Sequence, residues 1–499
     1  MSTAELYRSY KEKMQQIADV KYSAAVLQWD QETYLPPKGA TARGRQLATL
    51  SEIAHKLFSD DKLGGLLNDL ISKNDLNENE KRNVELTLED YNRNKKYSSE
   101  FVRKLTEQVN RTFHSWIEAR RKNSFSFFEN DLSLLVALKK QETEILGYKV
   151  HPYNALLDEF EKGCTVEFLD KVFADLLPAL KNILEKIRSK PQVDDSFLKK
   201  SFPKQQQWEW GIWLIKELHF DFDAGRQDMS EHPFTTSFGN EDVRITTRIN
   251  ESDFSSMTWS CIHEVGHALY EQGLPGDQYG LPLGEAASLG IHESQSRLWE
   301  NNVGRSLHFW EHYFPVLQQK FPEQLSNISV VQFFKAINKS EPSLIRTEAD
   351  ELTYHFHVII RYELERKLIE GSLNTKDIPV YWNERYENYL GTKSPDDLKG
   401  CLQDVHWSHG SFGYFPTYTL GSLFASQFFA AMRSEIPDIN SKLKKGETKE
   451  ILDWLRKNVH VFGRKYTSNE LCQRISGKSL DSSFLVDHLL DKYSLIYNL

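Results

Sequence analysis

In Phe101–Ala119 the apolar residues Phe101, Val102, Leu105, Val109, Phe113 and Trp116 recur at helical spacing. Such spacing gathers them on one side of a helix. No proline falls between Pro37 and Pro152, and this stretch is rich in Glu, Lys, Leu, Gln and Arg. Strong helix formers without chain breakers predict long helices, so residues 1–230 are expected to be mainly helical. The period changes at Asp242–Ile249, where Val, Ile, Thr and Ile alternate with Asp, Arg, Thr and Arg. A two-residue period marks a half-buried strand. An earlier extended run, Pro233–Phe238, precedes it across Gly239, Asn240 and Glu241, a plausible hairpin loop. From Phe254 to Leu499 the pattern is again that of helices broken by loops at Pro- and Gly-containing points.

Directly after the small sheet, Ser256 is expected to cap a helix over Met257–Gln272, which Gly273 and Pro275 end. This helix has two stripes. Cys261, Ile262, Val265, Ala268 and Leu269 face a core, while Ser260, His263, Glu264, His267 and Glu271 form a polar face. The spacing of His263 and His267 stacks their imidazoles so that both can grip one ion. Glu264 is then placed to hold a water at that ion and act as its general base. A catalytic metal of the zinc type needs a third protein ligand and one open position. Glu285, His292 and Glu293, on a segment expected to be helical over residues 284–302, all compete for that place; spacing does not choose among them.

Composition narrows the alternatives. Of 499 residues, 39% are apolar and 27% charged, the balance of a folded globular chain, with a formal net charge of −9. That surplus of acid and the lack of a basic stripe argue against nucleic acid as a partner. The charged N-terminus has no apolar core of a signal segment, and no apolar run is long enough to span a membrane. Cys164, Cys261, Cys401 and Cys472 stand isolated, as expected of free, buried thiols in the cytoplasm.

The order and spacing of several segments resemble the carboxypeptidase Taq family of metallocarboxypeptidases. They are Leu27–Asp30, Asp242–Thr246, His263–His267, His292–Ser294, Ile345–Tyr354, Gly400–Trp407 and Gly413–Tyr418. The resemblance implies a mostly α-helical, two-lobed, clam-like fold with a deep groove, similar in outline to angiotensin-converting enzyme and neurolysin. Within one peptidase unit, residues 1–230 would form one groove wall and residues 231–499 the metal-binding and catalytic part. It implies Glu293 as the third ligand, zinc as the ion with cobalt as an alternative, peptide substrates trimmed from the C-terminus with broad specificity, and a homodimer.

A carboxypeptidase must hold the substrate's free carboxylate, and the bidentate, permanently charged guanidinium of arginine suits that task best. Arg346 is the first candidate and Arg244 the second. The oxyanion formed during hydrolysis needs donors besides the ion, and His406, Tyr418 and Tyr414 are suitable. Asp350 and Glu351 are expected to accept the remaining ring N–H groups of the ligand histidines, with Glu271 and Glu300 structural. Two other readings keep the same motif: an endo-oligopeptidase, or a non-catalytic helical scaffold with a vestigial site.

Overall fold

The computed structural model describes residues 1–499 and is mostly helical, with one three-stranded sheet. Long helices fill the N-terminal part, among them Thr3–Thr33, Glu78–Lys95, Ser99–Lys122 and Val166–Arg188. Side chains of Ser2, Asn77, Ser98 and Thr165 cap their free N–H groups. In Ser99–Lys122 the apolar stripe is only partly covered: Phe101 is buried, whereas Val102 remains 41% exposed.

The sheet orders its strands β1 (Gly225–Met229), β3 (Val243–Thr247) and β2 (Thr235–Ser237), with β3 in the middle. β2 and β3 form the expected antiparallel hairpin, Thr236 opposite Arg244. β1 pairs parallel to β3, Arg226 beside Arg244, and is the strand that hydrophobic alternation does not announce. Its two buried residues, Gln227 and Asp228, are consecutive and polar, so no apolar alternation marks it. The helical N-terminal stretch thus ends in a strand just short of residue 230.

Apolar packing divides in two. A large core runs from Ala119 to Tyr497 and contains the apolar stripe of the catalytic helix. A separate small one joins Leu6, Tyr10 and Met14 to Leu63, Leu67 and Val84, with Leu281 as its only member from beyond the first helices. No helix is long and apolar enough to cross a membrane. All four cysteines are free and buried.

The catalytic helix starts earlier than expected, at Phe254, and runs to Glu271. Asp253, not Ser256, is its cap: the carboxylate accepts from the N–H of Ser255. Phe254 is fully buried against Phe202, Phe321 and Phe333, which anchors the additional turn. The segment after it also differs from expectation. A short 3-10 turn ends at Gly284, and residues 285–288 are not helical. Ser288 caps a helix over Leu289–Arg297, which widens into a π-helical turn over Leu298–Gly304. This second helix carries Glu293.

Candidate metal centre

Two helices meet here because one position on each partner can accept no side chain. A Cβ on Gly266 of the catalytic helix would lie 2.6 Å from Ser296 Cα. A third helix, Pro416–Glu435, crosses the other side, and a Cβ on Gly421 would lie 2.4 Å from Glu293 Cγ. Such distances are well inside van der Waals contact, so both glycines are needed for the approach that brings Glu293 to the histidines.

Glu293 Oε2 lies 3.4 Å from His267 Nε2 and 3.8 Å from His263 Nε2. One donor atom from each of the three residues falls within 4.8 Å of the others. Of the three competing residues, only Glu293 completes such a cluster. Glu285 is exposed and faces Arg464. His292 instead sits behind His267.

For both histidines to offer Nε2 to an ion, each Nδ1 must carry a proton and find an acceptor. His263 Nδ1 donates to Glu300 Oε2 at 2.9 Å. His267 Nδ1 lies 2.6 Å from His292 Nδ1, and His292 Nε2 lies 2.8 Å from Glu271 Oε1. Protons on His267 Nδ1 and His292 Nε2 satisfy this whole chain. Glu300 and the His292–Glu271 pair therefore fill the role expected of Asp350 and Glu351. Those two acids are committed elsewhere: Asp350 accepts from Ser340 and Thr353, and Glu351 pairs with His488 and Lys492.

Glu293 has a divided carboxylate. Oε1 accepts from Arg297 Nε at 2.7 Å, leaving Oε2 toward the histidines. Burial opposes ionisation of Glu293, but Arg297 and His263 outweigh it and hold the carboxyl well below its ordinary range. Two neutral imidazoles and an ionised carboxylate form a donor set that fits a divalent cation of the zinc type, which in catalytic sites takes three protein ligands.

Glu264 is buried, at 7% exposure. Its Oε2 lies 2.6 Å from Thr235 Oγ1 on β2, so the sheet orients this carboxylate. Burial pushes this carboxyl above its ordinary value, against the pull of His263 and Thr235. That is the direction a proton acceptor and donor requires. A cavity of about 310 Å³ is lined by Trp29, Phe234 and Thr235, the last of which bonds Glu264. A larger cavity of about 660 Å³, lined by Arg93, Lys96 and Asp158, includes no residue of the metal cluster.

Beyond Arg297 a polar network continues. The Arg297 guanidinium lies 4.6 Å from the centre of the Tyr354 ring. Tyr354 Oη accepts from Arg346 Nη1 at 2.8 Å, and Arg346 Nε donates to Asp404 Oδ1 at 2.9 Å. Arg346 is buried under Tyr418, 4.9 Å from its ring centre, and its Nη2 has no protein partner. The acids nearest in sequence, Glu348, Asp350 and Glu351, do not pair with it.

His406 Nε2 lies 3.1 Å from Tyr418 Oη, and Tyr414 packs against both rings. Burial, reinforced by Arg346 and Arg361 against the attraction of Asp404, pushes His406 down to about 3. Burial pushes Tyr414 up to about 12 and Tyr418 further. All three are thus neutral near pH 7 and able to donate. Arg244 lies elsewhere, on β3. It grips Asp242 through Nε and Nη2, at 2.9 and 2.8 Å, and stacks on Trp29.

Arg297, Thr235 and Tyr354 were not assigned to the site from sequence; His292 was a competing ligand, and Glu271 and Glu300 were expected to be structural. Two of these had a local signal: Arg297 lies four residues after Glu293 and Glu271 four after His267, each on one helix face.

The chain is similar to known proteins over nearly its whole length. The family model described as carboxypeptidase Taq (M32) metallopeptidase matches residues 9–493. Carboxypeptidase 1 of Bacillus subtilis is 38% identical over 492 residues, 98% of each chain. A solved protein designated CHT is 56% identical and superposes with a TM-score of 0.97, covering 98% of this chain and 99% of that one. The crystal structure of the M32 carboxypeptidase from Deinococcus radiodurans also gives a TM-score of 0.97, at 37% identity over 99% of this chain and 100% of that one.

Proposed function

The chain belongs to the carboxypeptidase Taq (M32) family of metallopeptidases, and from that premise we propose which of its residues divide the work of hydrolysis. The enzyme is a metallocarboxypeptidase. His263, His267 and Glu293 hold the divalent ion, and zinc is the ion proposed, with cobalt an alternative that the same donors accept. When bound, the ion supplies Lewis acidity toward the scissile carbonyl and toward water.

Glu264 takes a proton from the attacking water as its oxygen adds to the carbonyl carbon. It then delivers that proton to the amine as the C–N bond breaks. Tyr418 and His406 stabilise the oxyanion, with Tyr414 alongside. The ring of His406 supports a particular proton arrangement. Its Nδ1 is buried without a partner, and an orphaned acceptor costs less than an orphaned N–H. The proton then sits on Nε2, which donates to Tyr418 Oη and leaves the phenol hydrogen free for the substrate.

Arg346 binds the substrate's terminal carboxylate. One observation carries this: a buried guanidinium, fixed by Asp404 and Tyr354 beside the metal cluster, has an uncommitted Nη2. Arg244 is fully engaged by Asp242, which favours Arg346. The remaining proposals are broad specificity, a homodimer, a cytoplasmic location consistent with four free thiols, and a groove walled by residues 1–230 and 231–499.

The test compares a peptide with its C-terminally amidated twin. Arg346→Ala should lower kcat/KM for the free acid by about 2–5 kcal/mol, the penalty for leaving a buried charge unpaired. Hydrolysis of the amide, already poor, should hardly change. Arg346→Lys should restore only part, because an ammonium has no fork. An unchanged acid-to-amide ratio would move the carboxylate site elsewhere and would revive the endo-oligopeptidase reading.

A further inference from the structure

Behind the loop that carries His406 and Tyr414 lies a carboxylate with no cationic partner. Glu365, on the helix Tyr354–Glu370, is fully buried, at 0% exposure, and enters no ion pair. The nearest contributing cation, Lys139, is paired with Glu142 instead. An ionised carboxylate held this way is among the costlier occupants of a core. An apolar residue would pack there at lower cost, so its position calls for a reason.

All of its partners are donors. Oε1 accepts from Trp407 Nε1 at 2.8 Å. Oε2 accepts from the Gly413 N–H at 2.8 Å and from Tyr153 Oη at 2.5 Å. Burial pushes the carboxyl up to about 7, opposed by these three hydrogen bonds. Two of the three, Trp407 Nε1 and the Gly413 N–H, can only donate, and they reach both carboxylate oxygens, so the geometry favours the ionised form.

Two of the donors occupy telling places. Trp407 directly follows His406, and Gly413 directly precedes Tyr414. Between them the chain makes a short 3-10 turn over His406–His409 and returns, with the Ser411 N–H bonded to the His406 carbonyl at 3.0 Å. One carboxylate therefore ties down both ends of this loop. His406 in turn contacts Tyr418 on the next helix.

We propose that Glu365 is a positioning residue for hydrolysis, clamping Trp407 and Gly413 so that His406, Tyr414 and Tyr418 face the reacting carbonyl in one fixed arrangement. The inference rests on the reading of His406 and Tyr418 as oxyanion donors. It adds a residue that touches neither substrate nor metal yet governs the transition state. Precise fixation of donors is what such stabilisation depends on, because they must be aimed before charge develops.

The experiment uses the zinc-loaded full chain with Glu365→Gln, Trp407→Phe, Tyr153→Phe and His406→Gln variants. A glutamine must turn its amide NH₂ toward at least one of the three donors. Glu365→Gln should lower kcat by roughly 10–100-fold, short of the 10²–10³ seen when an oxyanion donor is removed outright. KM and zinc content should stay as in the parent. Affinity for a phosphonate peptide, which mimics the tetrahedral species, should fall by the same factor as kcat/KM, while affinity for a product peptide should not move.

Trp407→Phe deletes one attachment and should act in the same direction with a smaller loss, which decides the matter if Glu365→Gln does not fold. Tyr153→Phe removes the donor that lies outside the loop and should lower Tm while leaving kcat unchanged. If His406→Gln leaves kcat and phosphonate affinity intact, the oxyanion reading fails on its own account. If His406→Gln loses both while Glu365→Gln and Trp407→Phe keep them, the positioning role is overturned. Equal kcat losses in Tyr153→Phe and Glu365→Gln would also overturn it, because the carboxylate would then support the fold in general.

Discussion

Replacing Glu300 by glutamine separates the support of a metal ligand from the support of the fold. The substitution keeps shape and removes charge. In the parent, Glu300 Oε2 accepts from His263 Nδ1 at 2.9 Å and lies 3.3 Å from Arg297 Nη1, while Oε1 accepts from Arg305 Nη2 at 3.0 Å. Glutamine's best orientation turns its oxygen to His263 and its NH₂ toward Arg305. His263 then keeps a neutral acceptor in place of a charged one, and charge-assisted bonds are about twice as strong. Loss of an outer partner of this kind weakens metal affinity by about 10–100-fold, or about 1.4–2.7 kcal/mol. Arg297 retains Glu293 and Arg305 retains the Ile337 carbonyl, so neither guanidinium is stranded and the apo fold should persist. Competition against a chromogenic chelator gives the affinity, and thermal unfolding of the metal-free chain gives the stability. Glu351→Gln is the matched control, because Glu351 is equally buried but serves Lys492 and His488. It should destabilise the chain and leave zinc affinity alone. Unchanged affinity in Glu300→Gln, or a loss of affinity in Glu351→Gln, would refute the reasoning.

Glu264→Gln should retain the metal and lose turnover by roughly 10²–10⁴-fold, the share of a positioned general base; near-normal rates measured beside full metal content would remove Glu264 from the chemistry. Gly421→Ala puts a methyl group 2.4 Å from Glu293 Cγ. The ligand must move by about 1 Å, so kcat/KM should drop by roughly 100-fold and chelators should strip the metal faster; parent-like values would mean that the helix yields instead. For Glu351, Lys492 and His488 outweigh burial and push the carboxyl down to about 2 from an ordinary 4.5. Its folded value is the lower one, so its stabilisation, at most about 3 kcal/mol, is complete above pH 4.5 and fades as pH falls through 2. Denaturant titrations of Glu351→Gln against the parent should therefore converge in acid, and a constant gap would contradict the pairing.

What could be read from the chain follows a physical line. Contacts within one helix are periodic, so His263, Glu264 and His267, and the buried stripe of Cys261, Ile262 and Val265 behind them, were legible directly. Motif resemblance supplied Glu293, which spacing left tied with Glu285 and His292. The outer partners were not legible. Glu300 reaches His263 from a π-helical turn, and His292 reaches His267 across a helix crossing that Gly266 alone permits. Neither relation leaves a period in the sequence. β1 was hidden because its two buried residues, Gln227 and Asp228, are adjacent and polar, so it shows no apolar alternation. The cap at Asp253 was missed because burial of Phe254, a tertiary effect, lengthened the helix beyond its local signal at Ser256.

The two helix crossings at Gly266 and Gly421 bear on how the protein exchanges its ion. Glu300, His292 and Arg297 brace the three proposed ligands through His263 Nδ1, His267 Nδ1 and Glu293 Oε1, atoms other than those turned toward the ion. Departure of the ion therefore leaves an empty cradle and not a collapsed one, and reloading is a ligand-exchange event without refolding. A preformed cradle of two imidazoles and one carboxylate also does little to sort neighbouring transition metals by shape, since their affinities follow an intrinsic order. Metal supply then enters, beside ligand type, into which ion such a site takes.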